Sequence, residues 1–78
     1  MGAANARSPQ FRSGQPELQA QEVALLRLVA GGLPIDAIAR QMRTSERTVR
    51  RRIRDICDRL EVGTSIEAVV WAVRRGVV

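Results

Sequence analysis

A chain of 78 residues with a net charge of +5 and no histidine is at most one small domain that buries little surface. The lack of His removes the commonest general base and metal ligand. A single cysteine excludes an internal disulfide or a Cys-rich zinc site. No run reaches the length of a membrane span and no signal-peptide core opens the chain, so a cytoplasmic protein with no membrane contact is expected. No catalytic, cofactor-binding or metal-binding set can be named, and the chain is not read as an enzyme.

Alternating strand patterns are absent, and one Phe, one Trp and no Tyr leave few aromatic strand formers. The fold class expected is all-α, a four-helix domain containing a helix-turn-helix. Residues 1–16 hold mostly Gly, Ala, Ser, Asn and Pro, a composition that reads as a disordered tail or linker. Residues 17–78 form the domain.

The first helix is expected from Glu17 or Gln19 to Ala30, closed by Gly31-Gly32. Leu18, Leu25 and Val29 share a face with Glu22, whose carboxylate needs a partner there. Either the backbone N–H of Gln19 or an Arg of the basic helix would supply it. A short second helix starts at Pro34, carries Ile35, Ile38, Ala39 and Met42, and ends near Arg43. Ala39 would let the next helix cross closely.

The third helix, residues 45–60, is the feature around which the chain is organised. Val49, Ile53, Ile56 and Leu60 fall in one wedge at helical spacing, and Arg47, Arg50, Arg51 and Arg54 fall roughly opposite. Between Arg40 and Arg54 there are seven Arg against one acid, Glu46. A one-sided basic cluster of this kind is the footprint of a phosphate-binding surface. A hydroxyl of Thr44-Ser45 should cap the helix. Cys57, beside the wedge, reads as a small core or boundary residue.

After the break at Glu61-Val62-Gly63, Thr64 and Glu67 match a capping box, and a fourth helix runs to about Arg75 with Gly76 as its stop. Ile66, Val69, Val70, Val73 and Val77 make a stripe wider than a short helix needs, with Trp71 off it. A second chain is expected to meet this surface. A homodimer through this helix would use Ile66, Val70, Trp71, Val73 and Val77.

These pieces together resemble the LuxR-type (GerE-type) DNA-binding domain of NarL/FixJ-like response regulators and quorum-sensing regulators. The residues carrying the resemblance begin with Leu18, Glu22 and the run Leu25 to Ala30 with Gly32. Ile38-Ala39, Ser45 to Arg50, Arg59-Leu60 with Val62, and Ala68-Val69, Ala72 and Gly76 complete it. Gln19 stands in place of the family's usual Thr cap, and Arg43 in place of a Gly- or Asn-like residue. The resemblance implies a third helix that enters the major groove and a fourth that commonly mediates dimerisation. It also implies base and phosphate contacts at Arg50, Arg51 and Arg54, and an Arg, Arg52, where the family usually has His or Asn. Such regulators usually carry a sensing or phosphoacceptor domain N-terminal to this one, and the chain is expected to be the excised C-terminal domain.

The function expected is sequence-specific binding of double-stranded DNA by a bacterial transcription regulator at the nucleoid, with RNA polymerase a further possible partner. Arg50 and Arg54 are the candidates for base edges, because Arg binds guanine O6 and N7 bidentately. Arg47 and Arg51 read a base or hold a phosphate. Thr48, Arg52 and Arg43 hold phosphates, with backbone N–H groups of the capped helix start adding donors. Two other readings stand beside this one: a sigma-factor-like promoter-reading domain, and a basic helical adaptor binding an acidic protein or RNA. The apolar fourth helix speaks against the former, and the lack of aromatic stacking platforms against RNA.

Overall fold

The computed structural model describes residues 17–78. Four helices, α1 (Ala20–Ala30), α2 (Ile35–Gln41), α3 (Glu46–Leu60) and α4 (Ser65–Arg74), follow one another through short turns, and no strand occurs among the described residues. The all-α expectation therefore holds. The tail expected over residues 1–16 lies outside the described residues.

Each helix begins where its local chemistry provides a start. Gln19 precedes α1 in extended backbone, and its N–H donates to Glu22 Oε1 at 2.8 Å. Pro34 is the N-cap of α2 rather than its first helical residue, in extended backbone at ψ 161°. Ser45 caps α3, accepting from the Thr48 N–H at 3.0 Å. At α4 the box is complete: Thr64 Oγ1 accepts from the Glu67 N–H at 3.1 Å, and Glu67 Oε1 accepts from the N–H groups of Thr64 and Gly63. Orphan donors at three of the helix starts are thus satisfied by side chains close in sequence.

The helix ends share one device. The N–H groups of Leu33, Thr44, Val62 and Val77 bond back to the carbonyls of Leu28, Ala39, Cys57 and Ala72. Each closure turns on a residue with positive φ: Gly32 (85°), Arg43 (57°), Glu61 (60°) and Gly76 (71°). This is the Schellman pattern, which Gly normally serves because it has no Cβ to clash. The two non-glycine residues stand at the turns on either side of α3.

The core is small and aliphatic. Leu25 and Leu26 of α1, Ile38 of α2, and Val49 and Ile56 of α3 are its largest fully buried side chains. α2 packs chiefly on α3, and α1 chiefly on α4. Ala39 is buried on α2, as a close helix crossing requires. The inward face of α4 is made of small residues, and much of its apolar stripe faces outward. Ala68 and Ala72 are the buried residues of α4, whereas Ile66, Val70 and Val73 are 64%, 44% and 54% exposed. Small residues let the backbones approach, which leaves no room between the helices for β-branched side chains, and these face out. Val69, Trp71 and Val77 are partly buried against the core edge.

Candidate nucleic-acid interface

α2, the turn over Met42 to Ser45, and α3 form a helix-turn-helix. α3 keeps its apolar edge inward through Val49, Ile56, Cys57 and Leu60, all buried, with Ile53 half-buried. Arg47, Arg50, Arg51 and Arg54 are all exposed, and the helical period puts them on one side. The basic stripe legible in the sequence is thus a continuous surface on the first turns of α3. By the same period, Asp58 falls on the Arg47 side but nearer the C-terminal end of the helix, so the positive surface is confined to the N-terminal part.

The remaining candidates sit around this stripe. Ser45 donates its hydroxyl to Thr48 Oγ1 at 3.0 Å while capping the helix, and Thr48 is half-buried. Arg43 is exposed in a left-handed conformation two residues before Ser45. Arg52 lies apart from the other arginines. It is half-buried on the side of α3 that faces α1, and with Gln19, Gln21, Glu22, Leu25 and Asp55 it lines a groove of about 200 Å³. A ligand on the Arg50–Arg54 surface would meet Arg52 only at its edge.

Two side-chain contacts bear on α3, and only the first was not legible beforehand. Arg50 Nη2 pairs with Glu46 Oε1 at 3.4 Å, one helical turn earlier. Glu46 attracted notice only as the one acid in the basic run; the i, i+4 spacing is the signal that could have found the pair. The second is Glu22, for which the Gln19 N–H or an Arg of the basic helix is the partner expected from sequence. It takes both: Oε1 accepts from the Gln19 N–H, and Oε2 accepts from Arg59 of α3. Glu22 thereby ties the start of α1 to the last turn of α3 and has a structural role.

Cys57 is buried, and its thiol is pushed up from its ordinary value first by burial and then by the carboxylates of Asp58 and Glu67. It stays protonated at neutral pH, which suits a core residue and not a nucleophile. Among the described residues no cluster of His, Cys, Asp or Glu is arranged to hold a metal ion, and no helix is long and apolar enough to cross a membrane.

A short helix, a tight turn and a capped basic helix held by its apolar edge define a helix-turn-helix DNA-binding domain. The family described as bacterial regulatory proteins, luxR family (GerE), matches residues 16–72, and the chain belongs to that family. It is a DNA-binding domain of transcription regulation. The chain is similar to the transcriptional regulatory protein YdfI of Bacillus subtilis (strain 168), with 36% identity over 63 residues. That match covers 81% of this chain and 30% of the relative, so the chain spans about a third of the relative's length. No solved structure matches the chain significantly.

Proposed function

We propose that residues 17–78 form a recognition domain that binds double-stranded DNA sequence-specifically, with α3 in the major groove. The observation that carries this reading is the division of α3 into a buried aliphatic edge and an exposed edge of four arginines. Arg50 and Arg54, one turn apart, read base edges as guanidinium forks. Arg47 and Arg51 flank them, each on a base or on a phosphate. Thr48, Arg43 and Arg52 hold the backbone at the rims of the groove, and the N–H groups at the start of α3 supply further donors.

The domain acts as a homodimer in a bacterial transcription regulator of the response-regulator kind. Support for the dimer comes from α4, where Ile66, Val70 and Val73 are exposed, and where Ile66 and Val70, with Trp71, Val62 and the charged flanks Glu67, Arg74 and Arg75, border an apolar groove of about 330 Å³. Val77, also a candidate for this face, is partly buried against the core and would contribute less.

Selection of bound duplexes from a random pool tests the reading. The expected result is an enriched site containing guanines, arranged as two half-sites about one helical turn apart. Absence of any enrichment at moderate salt, with tight binding to an acidic protein or to RNA instead, would overturn it.

A further inference from the structure

We propose that Glu46 is a positioning residue for Arg50 and sets the sequence discrimination of the domain; this rests on the reading of α3 as the DNA-reading helix. Glu46 is the single acid among seven arginines between Arg40 and Arg54. It is the first residue of α3 and its side chain is 48% exposed, at the edge of the basic surface. A carboxylate there repels phosphates and lowers affinity for any duplex. Its position in the first turn favours the helix dipole, but that would be equally served by an acid turned away from the basic face. What separates Glu46 from such an acid is its contact: Oε1 lies 3.4 Å from Arg50 Nη2.

The contact engages one of the two terminal nitrogens of the guanidinium. A guanidinium carries five N–H donors in a rigid fork, so the other donors stay free for a base edge. The pair therefore does two things. It withdraws one positive charge from the pool available to phosphates, which weakens binding to every sequence alike. It also holds the Arg50 fork back from the nearest phosphate, so that the fork's strongest available partner on DNA is a guanine edge presented to its free donors. Arg47, Arg51 and Arg54 form no ion pair within the described residues and are left to supply the unspecific attraction. Asp36 and Arg40 on α2 form the same i, i+4 pair at 3.3 Å, but on the helix that precedes the reading helix.

The test compares the domain with E46Q, E46D, R50A and E46Q/R50A, each titrated with a selected duplex and with a scrambled duplex over a salt series. In E46Q, binding to scrambled DNA strengthens, and the ratio between selected and scrambled affinities falls about fivefold or more. The slope of log affinity against log salt on scrambled DNA steepens by about 0.9, the signature of one added phosphate contact. E46D keeps the discrimination of the native domain, because the Asp36–Arg40 pair shows that the shorter acid still reaches across one turn. In the R50A background the E46Q change no longer alters the ratio. An unchanged ratio in E46Q, a loss in E46D equal to that in E46Q, or an undiminished effect in the R50A background would each overturn the inference while leaving DNA recognition by α3 intact. A native domain that does not discriminate between the duplexes would overturn both.

Discussion

Glu22 on α1 and Arg59 on α3 are joined by a carboxylate–guanidinium pair whose other oxygen receives the N–H of Gln19. The pair closes the small domain across 37 residues of sequence, linking the start of its first helix to the end of the reading helix. The Glu22 side chain is 20% exposed and that of Arg59 36%, so water screens it only in part. Glu22→Ala removes both bonds, and the expected cost is about 1–3 kcal/mol, read as a lower thermal midpoint. Glu22→Gln keeps an acceptor for Gln19 and costs less. A double-mutant cycle with Arg59→Ala should give a coupling energy of about 0.5 kcal/mol or more. Additive single effects would show that the pair contributes nothing beyond its parts.

Arg43 and Glu61, the two non-glycine residues with positive φ among the described residues, separate stability from binding. Both occupy left-handed positions where a Cβ costs about 1 kcal/mol. Glu61→Gly relieves this at the end of α3, far from the basic turns, and is expected to raise stability by several tenths of a kcal/mol to about 1 kcal/mol with no change in DNA affinity. Arg43→Gly relieves the same strain before α3 and stabilises the fold similarly. On the proposed reading it also loses a phosphate contact, so affinity falls on all sequences alike and the salt slope becomes shallower by about 0.9. Equal affinity for the native domain and Arg43→Gly would remove Arg43 from the interface.

Most of the architecture was legible because the helices are punctuated by residues with local mechanisms. Pro34, Ser45 and the Thr64–Glu67 box mark starts, and Gly31-Gly32 and Gly76 mark ends. The basic edge of α3 was legible because period and charge coincide there. What stayed hidden has particular causes. Ala68 and Ala72 carry little hydrophobic signal, so the sequence did not single them out as the inward face of α4, although helix proximity selects the smaller residues there. Arg43 and Glu61 give no sign of positive φ, since the usual sign is Gly. Arg52 shares the charge of its neighbours but lies beside α1, and only the packing of α1 against α3 makes that visible. Glu46 reaches Arg50 through a choice of rotamers that spacing allows without dictating.

Cys57 makes the stability of the domain depend on alkaline pH. Its folded thiol is raised by burial, Asp58 and Glu67, whereas in the unfolded chain it ionises near the ordinary value of about 8.5. The folded state thus holds the proton more tightly than the unfolded state. Its contribution is present in full below the unfolded value and is lost as pH rises through the folded one. The thermal midpoint of the native domain should fall over that alkaline range, and Cys57→Ala, though less stable at neutral pH through its cavity, should show a smaller fall. In the native protein, alkylation of the thiol at neutral pH should proceed no faster than opening of the fold. Rapid alkylation without unfolding would contradict the burial of Cys57.

The outward face of α4 and its inward face make opposite predictions for substitutions only a few residues apart. Val70 is 44% exposed and Ala68 fully buried. Val70→Glu leaves the monomer fold within about 0.5 kcal/mol of the native domain, because no core contact is lost. Ala68→Leu forces extra methylenes between α4 and the helix it packs on, and costs about 1–3 kcal/mol. If α4 is the homodimer face, Val70→Glu also abolishes cooperative occupation of paired half-sites, because two copies would bring like charges together on a surface that must lose its water. Binding to an isolated half-site should then be unchanged, since the arginines of α3 lie on another helix. Sedimentation of the DNA complex separates the outcomes: the native domain binds the paired site as two copies and the variant as one at the same concentration. Two copies of Val70→Glu bound with undiminished cooperativity would show that the exposed valines of α4 are not where the copies meet.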